Sequence, residues 1–364
     1  MMAKLVRRAA VGLVISATVV GCGDRQDPPR SVPSPSAATV GSWAAIGGTP
    51  VGASFTDAVS TSAGVFVAGT VRSDCCKAQT SVWQYANGAL AADSSFTQAI
   101  KGRDVGVHAL ASTPDVDVLA AGAEDGKPAV WARRGGTWSK VTLTGLPAAS
   151  DAEVIAAAGT GGATVHLVIG SPGATSLVSC DVTAGRCQTP VRVGGVSEVR
   201  LVSTGQVAVA VVGDSANATV WTARAAQNWG WRKDTGLAPA AVSGLTVMNA
   251  DVLLFGRDTT GNAMWRTSTG SEWTRAGSDL SAETAAVVVA GRSFVAFAPG
   301  TDRAQVYVST NGTQWSAQSV QDTALQVQEA NVVRALATSN ELVILGSMVG
   351  AIADEPVALH ASLS

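Results

Sequence analysis

Five cysteines, three histidines and two tyrosines hold the reactive side-chain chemistry of this 364-residue chain. Catalysis needs ionisable groups that converge. His108, His166 and His360 are far apart in sequence, so a histidine metal site or a Ser-His-Asp set would need three distant segments to meet. His108 lies in an apolar strand, where it either faces a ligand or serves as a core residue. Cys180 and Cys187 bracket Asp181-Val182-Thr183-Ala184-Gly185-Arg186, a turn-like stretch. That spacing suits a cross-strand disulfide. Zinc is the alternative, but no histidine is nearby and no second cysteine pair has ligand spacing. Cys75 and Cys76 are adjacent. They are read as a vicinal disulfide, free thiols or an intermolecular link, serving as a loop staple, a binding feature or a redox pair. Gly-rich stretches lie in turns and form no phosphate or dinucleotide fingerprint, so no cofactor is expected.

The fifth cysteine belongs to a different segment. Lys4, Arg7 and Arg8 precede an apolar run, Ala9 to Val20, which ends in Val19-Val20-Gly21-Cys22. The run is too short for a membrane span of about 18 residues or more and fits the core of an export signal. Val-Val-Gly-Cys resembles the lipobox of bacterial lipoproteins. The resemblance implies that Cys22 carries a diacylglyceryl group and becomes the first mature residue. Residues 22–40 follow as a tether rich in Pro and Ser, which disfavour helix and central strand. Residues 1–21 are thus expected to be a signal peptide, 22–40 a lipidated tether and 41–364 the folded body. The protein is expected on the extracytoplasmic face of a cell membrane, held by acyl chains.

The body repeats. A short apolar strand ends in a small residue at Gly69, Gly122, Gly170, Gly213, Gly256, Ala298 and Gly346, at intervals of 42 to 53 residues. Each copy follows another apolar strand across a tight turn such as Ser203-Thr204-Gly205 or Asn249-Ala250-Asp251. A polar loop comes next, then a strand with a large residue: Trp83, Trp131, Trp221, Trp265 or Tyr307. A fourth strand opens with Gly and Trp, as in Gly136-Thr137-Trp138. Four short antiparallel strands at this period are the pattern of a propeller blade. The expected fold is an all-β seven-bladed β-propeller. The last copy lacks a fourth strand, and Gly41-Ser42-Trp43-Ala44-Ala45-Ile46 matches the missing one, so the N-terminal strand should close the ring. A six-bladed ring with a stray hairpin is the alternative.

Ser309-Thr310-Asn311-Gly312-Thr313-Gln314-Trp315 resembles the Asp-box turn of sialidase-type propellers, with Asn311 in place of Asp. Thr267 to Trp273 is a weaker copy. The resemblance implies blade architecture and no activity.

A composition of 46% apolar and 14% charged residues excludes a disordered chain, and a net charge of −2 gives no field for nucleic acid. The loops between second and third strands should gather on one end of the ring. They carry Arg72, Asp74, Lys77, Asp125, Arg257, Asp258, Asp302 and Arg303, a candidate binding face for an envelope protein or a polar ligand. The expected role is a non-catalytic binding or scaffold propeller. The rival is a surface glycan-active hydrolase.

Overall fold

The computed structural model describes residues 38–72, 78–147, 149–195, 198–213, 218–281, 284, 286–298, 305–318, 330–348 and 355–364. The signal segment, Cys22, most of the tether, Cys75 and Cys76 lie outside the described residues.

The described body is a ring of seven antiparallel sheets. The innermost strands are Ala53–Thr61, Val105–Thr113, Glu153–Gly159, Glu198–Ser203, Ala241–Met248, Ala286–Ala290 and Ala330–Ala337. Each contacts the inner strand of the next blade, and the seventh contacts the first, which closes the circle. The six-bladed alternative is thereby overturned. The second strand of each blade carries the repeated small residue at or near its end. Val67, Val118, Val168, Val209, Leu254, Val295 and Val343 are almost wholly enclosed there. These strands read as unbroken apolar runs because a neighbouring blade covers each face. Burial of one such side chain contributes about 1.5–3 kcal/mol.

The repeated glycine has a physical cause. The inner strands of blades one, two, five and seven bulge at Thr56, His108, Ser243 and Val333, and in each the residue just before the bulge faces the glycine. The inner strand's backbone therefore runs close against the second strand. A Cβ at Gly122 would lie 1.9 Å from the Gly106 carbonyl oxygen, and one at Gly69 would lie 2.3 Å from that of Ser54. No side chain fits there.

Closure follows the expected route. Val40–Ala45 pairs with the C-terminal strand Glu355–Leu363, with Trp43 opposite Ala361. Trp43 is buried among Phe297, Val308, Ile344 and Leu359, between blades six and seven.

Two blades depart from the pattern. Blade one ends in the short strand Ala89–Ala92, followed by a helix, Ser94–Ala99, that the repeat gave no reason to expect. Asp93 caps it, accepting hydrogen bonds from the backbone N–H groups of Ser95 and Phe96. The same carboxylate accepts from Trp138 Nε1 at 2.9 Å, and Phe96 packs edge-on against Trp138. Blade three forms five strands. Its third strand, Ala174–Asp181, pairs with both Arg186–Cys187 and Val191–Gly194. Cys180 and Cys187 sit directly opposite and form the expected disulfide.

Candidate binding channel

Antiparallel pairing sets which groups share an end of the ring. The inner strand begins where the second strand ends, as in Val105 opposite Glu124 and Glu153 opposite Gly170. The starts of the inner strands therefore lie at the same end as the charged loops. A cavity of about 460 Å³ lies among those inner strands, lined by residues of blades one, two, three, four, five and seven. Thr56, Asp57, His108, Glu198, Arg200 and Arg334 give it polar groups, and Ile155, Leu201 and Leu245 give it apolar ones.

The charges are arranged in pairs. Asp57 lies at the seam of three blades. Its Oδ1 accepts from Ala58 N at 2.8 Å and from Arg334 Nε of blade seven at 2.8 Å, and its Oδ2 accepts from Leu110 N of blade two at 2.8 Å. Burial pushes the Asp57 carboxyl above its ordinary value, while Arg334 and the two backbone N–H groups pull it back. The preceding residue, Thr56, donates to the Val107 carbonyl at 2.9 Å and adds a second link from blade one to blade two. His108 Nε2 lies 3.0 Å from Glu153 Oε2, and Arg200 Nη2 lies 2.7 Å from Glu198 Oε1. Sequence reading left His108 either facing a ligand or in the core, and it lines the cavity. Asp57, Arg200 and Arg334 were missed. The signal available was their alignment, since each sits near the middle of an inner strand.

The expected face is only partly visible. Asp74, Lys77, Asp302 and Arg303 lie outside the described residues. Arg72 and Arg257 are exposed at or next to the ends of second strands, and Asp125 sits in the adjoining turn with φ 51°. Asp258 ends its second strand and is occupied within its own blade. Arg275 holds it by two hydrogen bonds, at 2.7 and 3.0 Å, and together with Thr260 draws its carboxyl well below the ordinary range. Glu124 is likewise enclosed and bound by Lys140 and Arg103; despite burial, these cations hold it below its ordinary value. Asp258 therefore differs from the free rim charge the sequence suggested.

The opposite mouth of the ring differs in chemistry. A cavity of about 590 Å³ is lined there by the hairpin turns between first and second strands, including Ser62, Thr113, Thr160, Thr204, Gln206 and Asn249. Many hydroxyls are used by the turns themselves. Thr204 Oγ1 accepts from the N–H groups of Gln206 and Val207, and Thr160 Oγ1 accepts from Gly162 N.

The other histidines serve packing. His166 is fully buried between Trp229 and Trp231 at the seam of blades three and four. His360 lies 3.4 Å from Glu341, which also accepts from Tyr85 Oη at 2.9 Å. Among the described residues no cluster of three or more His, Cys, Asp or Glu side chains has metal-binding geometry.

Fold and channel together define a seven-bladed β-propeller with a charged mouth and a hydroxyl-lined one. No family model matches the sequence, and no curated protein is significantly similar to it. Solved structures share the fold. The β-propeller domain of the Trilobed protease from Pyrococcus furiosus superposes with a TM-score of 0.53 and 10% identity, over 85% of this chain and 93% of that one. The acylaminoacyl peptidase of Pyrococcus horikoshii gives 0.55 and 10%, over 85% of this chain and 51% of that one. The GH74 xyloglucanase of Xanthomonas campestris gives 0.51 and 16%, over 85% and 53%. The chain spans about half the length of the peptidase and of the xyloglucanase. At such identities the likeness is one of fold.

Proposed function

We propose that this chain is a lipid-anchored extracytoplasmic propeller that binds a polar ligand or envelope partner without transforming it. The observation that carries the reading is the coincidence of two features at one end of the ring. A cavity lined by Asp57, His108, Glu198, Arg200 and Arg334 lies among the inner strands, whose starting ends share an end of the ring with the loops bearing Arg72, Asp125 and Arg257. Charges are sparse in this chain, at 14%, so their gathering in a concave site favours recognition there. Asp57 and Glu198, the carboxylates of the site, are each engaged by an arginine, an arrangement suited to binding more than to general-base work. The Asp-box-like turn at Ser309 to Trp315 belongs to blade architecture in this reading. Its hydrogen bonds close the turn and tie it to the segment after blade five: Ser309 Oγ accepts from Gly312 N at 2.8 Å, Ser278 Oγ donates to the Gly312 carbonyl at 3.1 Å and Trp315 N donates to Asp279 Oδ1 at 2.9 Å. The anchor rests on Val19-Val20-Gly21-Cys22.

Two measurements test the proposal. The mature protein should partition with detergent, and Cys22→Ser should abolish both lipidation and cleavage. A mature N-terminus that is free and lies at a residue other than Cys22 refutes the anchor. Photo-crosslinkers placed at Asp125 and Arg257 in intact cells should capture a specific adduct that one at Asn249, in the opposite mouth, does not. Equal capture from both mouths, or none from the charged one, refutes the assignment of the binding face.

A further inference from the structure

We infer that Arg334, held in place by Asp57, is the anchor for a ligand carboxylate inside the charged cavity. The inference rests on the reading that this end of the ring binds, and it names the chemistry that is bound.

The argument begins with how Arg334 is held. A free arginine side chain is long and mobile, and fixing it costs entropy. Here Nε is fixed by Asp57 Oδ1 at 2.8 Å. Asp57 cannot swing away, because Leu110 N and Ala58 N hold its two oxygens from different blades. The buried carboxylate is thus a fixed bracket, and the guanidinium plane takes its orientation from it. The contacts of Arg334 with Asp57 and with the Ala58 carbonyl both run through Nε. Among the described residues, neither Nη group has a hydrogen-bond partner. Arg334 is also partly exposed, at 43%, and lines the cavity. A planar fork with unused N–H groups, fixed from behind and facing a cavity, matches the two oxygens of a carboxylate.

The rest of the cavity narrows the class. Arg200, from blade four, adds a second cation to the lining, while Glu198 beside it adds an acceptor. Cations and carboxylates are roughly balanced, so a polyanion would meet repulsion from Asp57 and Glu198. A ligand with one carboxylate and hydrogen-bond donors elsewhere meets complementary groups on both sides. Ile155, Leu201 and Leu245 supply an apolar wall for its body. A peptide with a free C-terminus and a hexuronate share this chemistry, and the test separates them.

The experiment is calorimetric titration of the full-length mature protein in detergent with triglycine and with glucuronate, each beside its carboxamide. At least one free acid should bind, and its carboxamide should bind about tenfold more weakly or worse, because a charge-assisted pair is lost. Arg334→Lys keeps the charge but not the fork and should reproduce that loss. Arg200→Gln should weaken binding less. Preference for triglycine identifies a peptide terminus, and preference for glucuronate identifies a uronate. Binding of neither acid at millimolar concentration overturns the inference, as does equal binding of acid and carboxamide. The carboxamide comparison needs no variant, so the inference stays testable if Arg334→Lys does not fold. Adduct capture at Asp125 is independent of this result, so the broader reading of the face can stand when the carboxylate anchor fails.

Discussion

Blades seven and three complete their sheets by opposite means. Blade seven borrows its outer strand from the far end of the chain, and apolar burial holds it. Trp43 inserts between blades six and seven and meets Phe297 edge-on, with ring centroids 6.0 Å apart. Blade three takes its outer strand from the next few residues, and a covalent bond holds it. Cys187 follows Cys180 by only 7 positions. A distant strand loses much chain entropy on docking and must recover it by burial. A short outer strand of two residues, Arg186–Cys187, buries too little to hold itself and is fixed by the disulfide. The difference shows that the ring is closed by its core, while the disulfide repairs one blade.

That contrast predicts a hierarchy. Trp43→Ala should cost about 3–5 kcal/mol, the cost of truncating a buried tryptophan, and denaturant titration reads it directly. A loss below about 1 kcal/mol would mean that the backbone pairing of Val40–Ala45 closes the ring without its side chain. Cys180→Ser/Cys187→Ser should cost less, about 2–3 kcal/mol for so short a loop. It should also loosen hydrogen exchange in blade three before the rest. A double serine variant that unfolds more readily than Trp43→Ala would reverse the hierarchy.

The repeat and its closure were legible because local chemistry enforces them. The small residue near the end of each second strand marks the period, and at Gly69, Gly122 and Gly256 a bulged inner strand excludes a side chain. Trp43 was recognisable because it opens a strand as Trp138 does. The helix Ser94–Ala99 broke the period and was missed, although Asp93 before two serines is a capping signal. The channel was largely hidden for a different reason. Asp57 and Arg334 are the single charges of their strands and Arg200 shares its own only with Glu198, and only closure of the circle brings the three strands to one cavity. Their local sequence carries no mark of that meeting. The charges of the second-to-third loops were visible as a group, but the capture of Asp258 by Arg275 depends on pairing between strands and was not.

The smallest predicted effect lies at the seam where blade three meets blade four, and it appears only in acid. His166 is fully buried there. Ser179 Oγ donates to the Trp229 carbonyl at 2.9 Å, which commits its only hydrogen. The 3.0 Å contact between Ser179 Oγ and His166 Nδ1 is then donated by the histidine. Nε2 is left without a partner among the described residues, against the edges of Trp229 and Trp231. Protonating it would place a charge among indoles, and burial pushes its pKa down to about 3. The unfolded chain takes up this proton near its ordinary value of 6.5, while the folded chain does not. Between those values the unfolded state binds more protons, so stability falls as pH falls, by about 1.4 kcal/mol per pH unit. At pH 5.5 the loss from this residue is therefore about 1–1.5 kcal/mol. His166→Leu should remove that slope whatever it does to stability at pH 7. Parallel curves of stability against pH for the two proteins, from 7 down to 5, would show that His166 takes up its proton while folded. The seam beside the stapled blade would then be open to water.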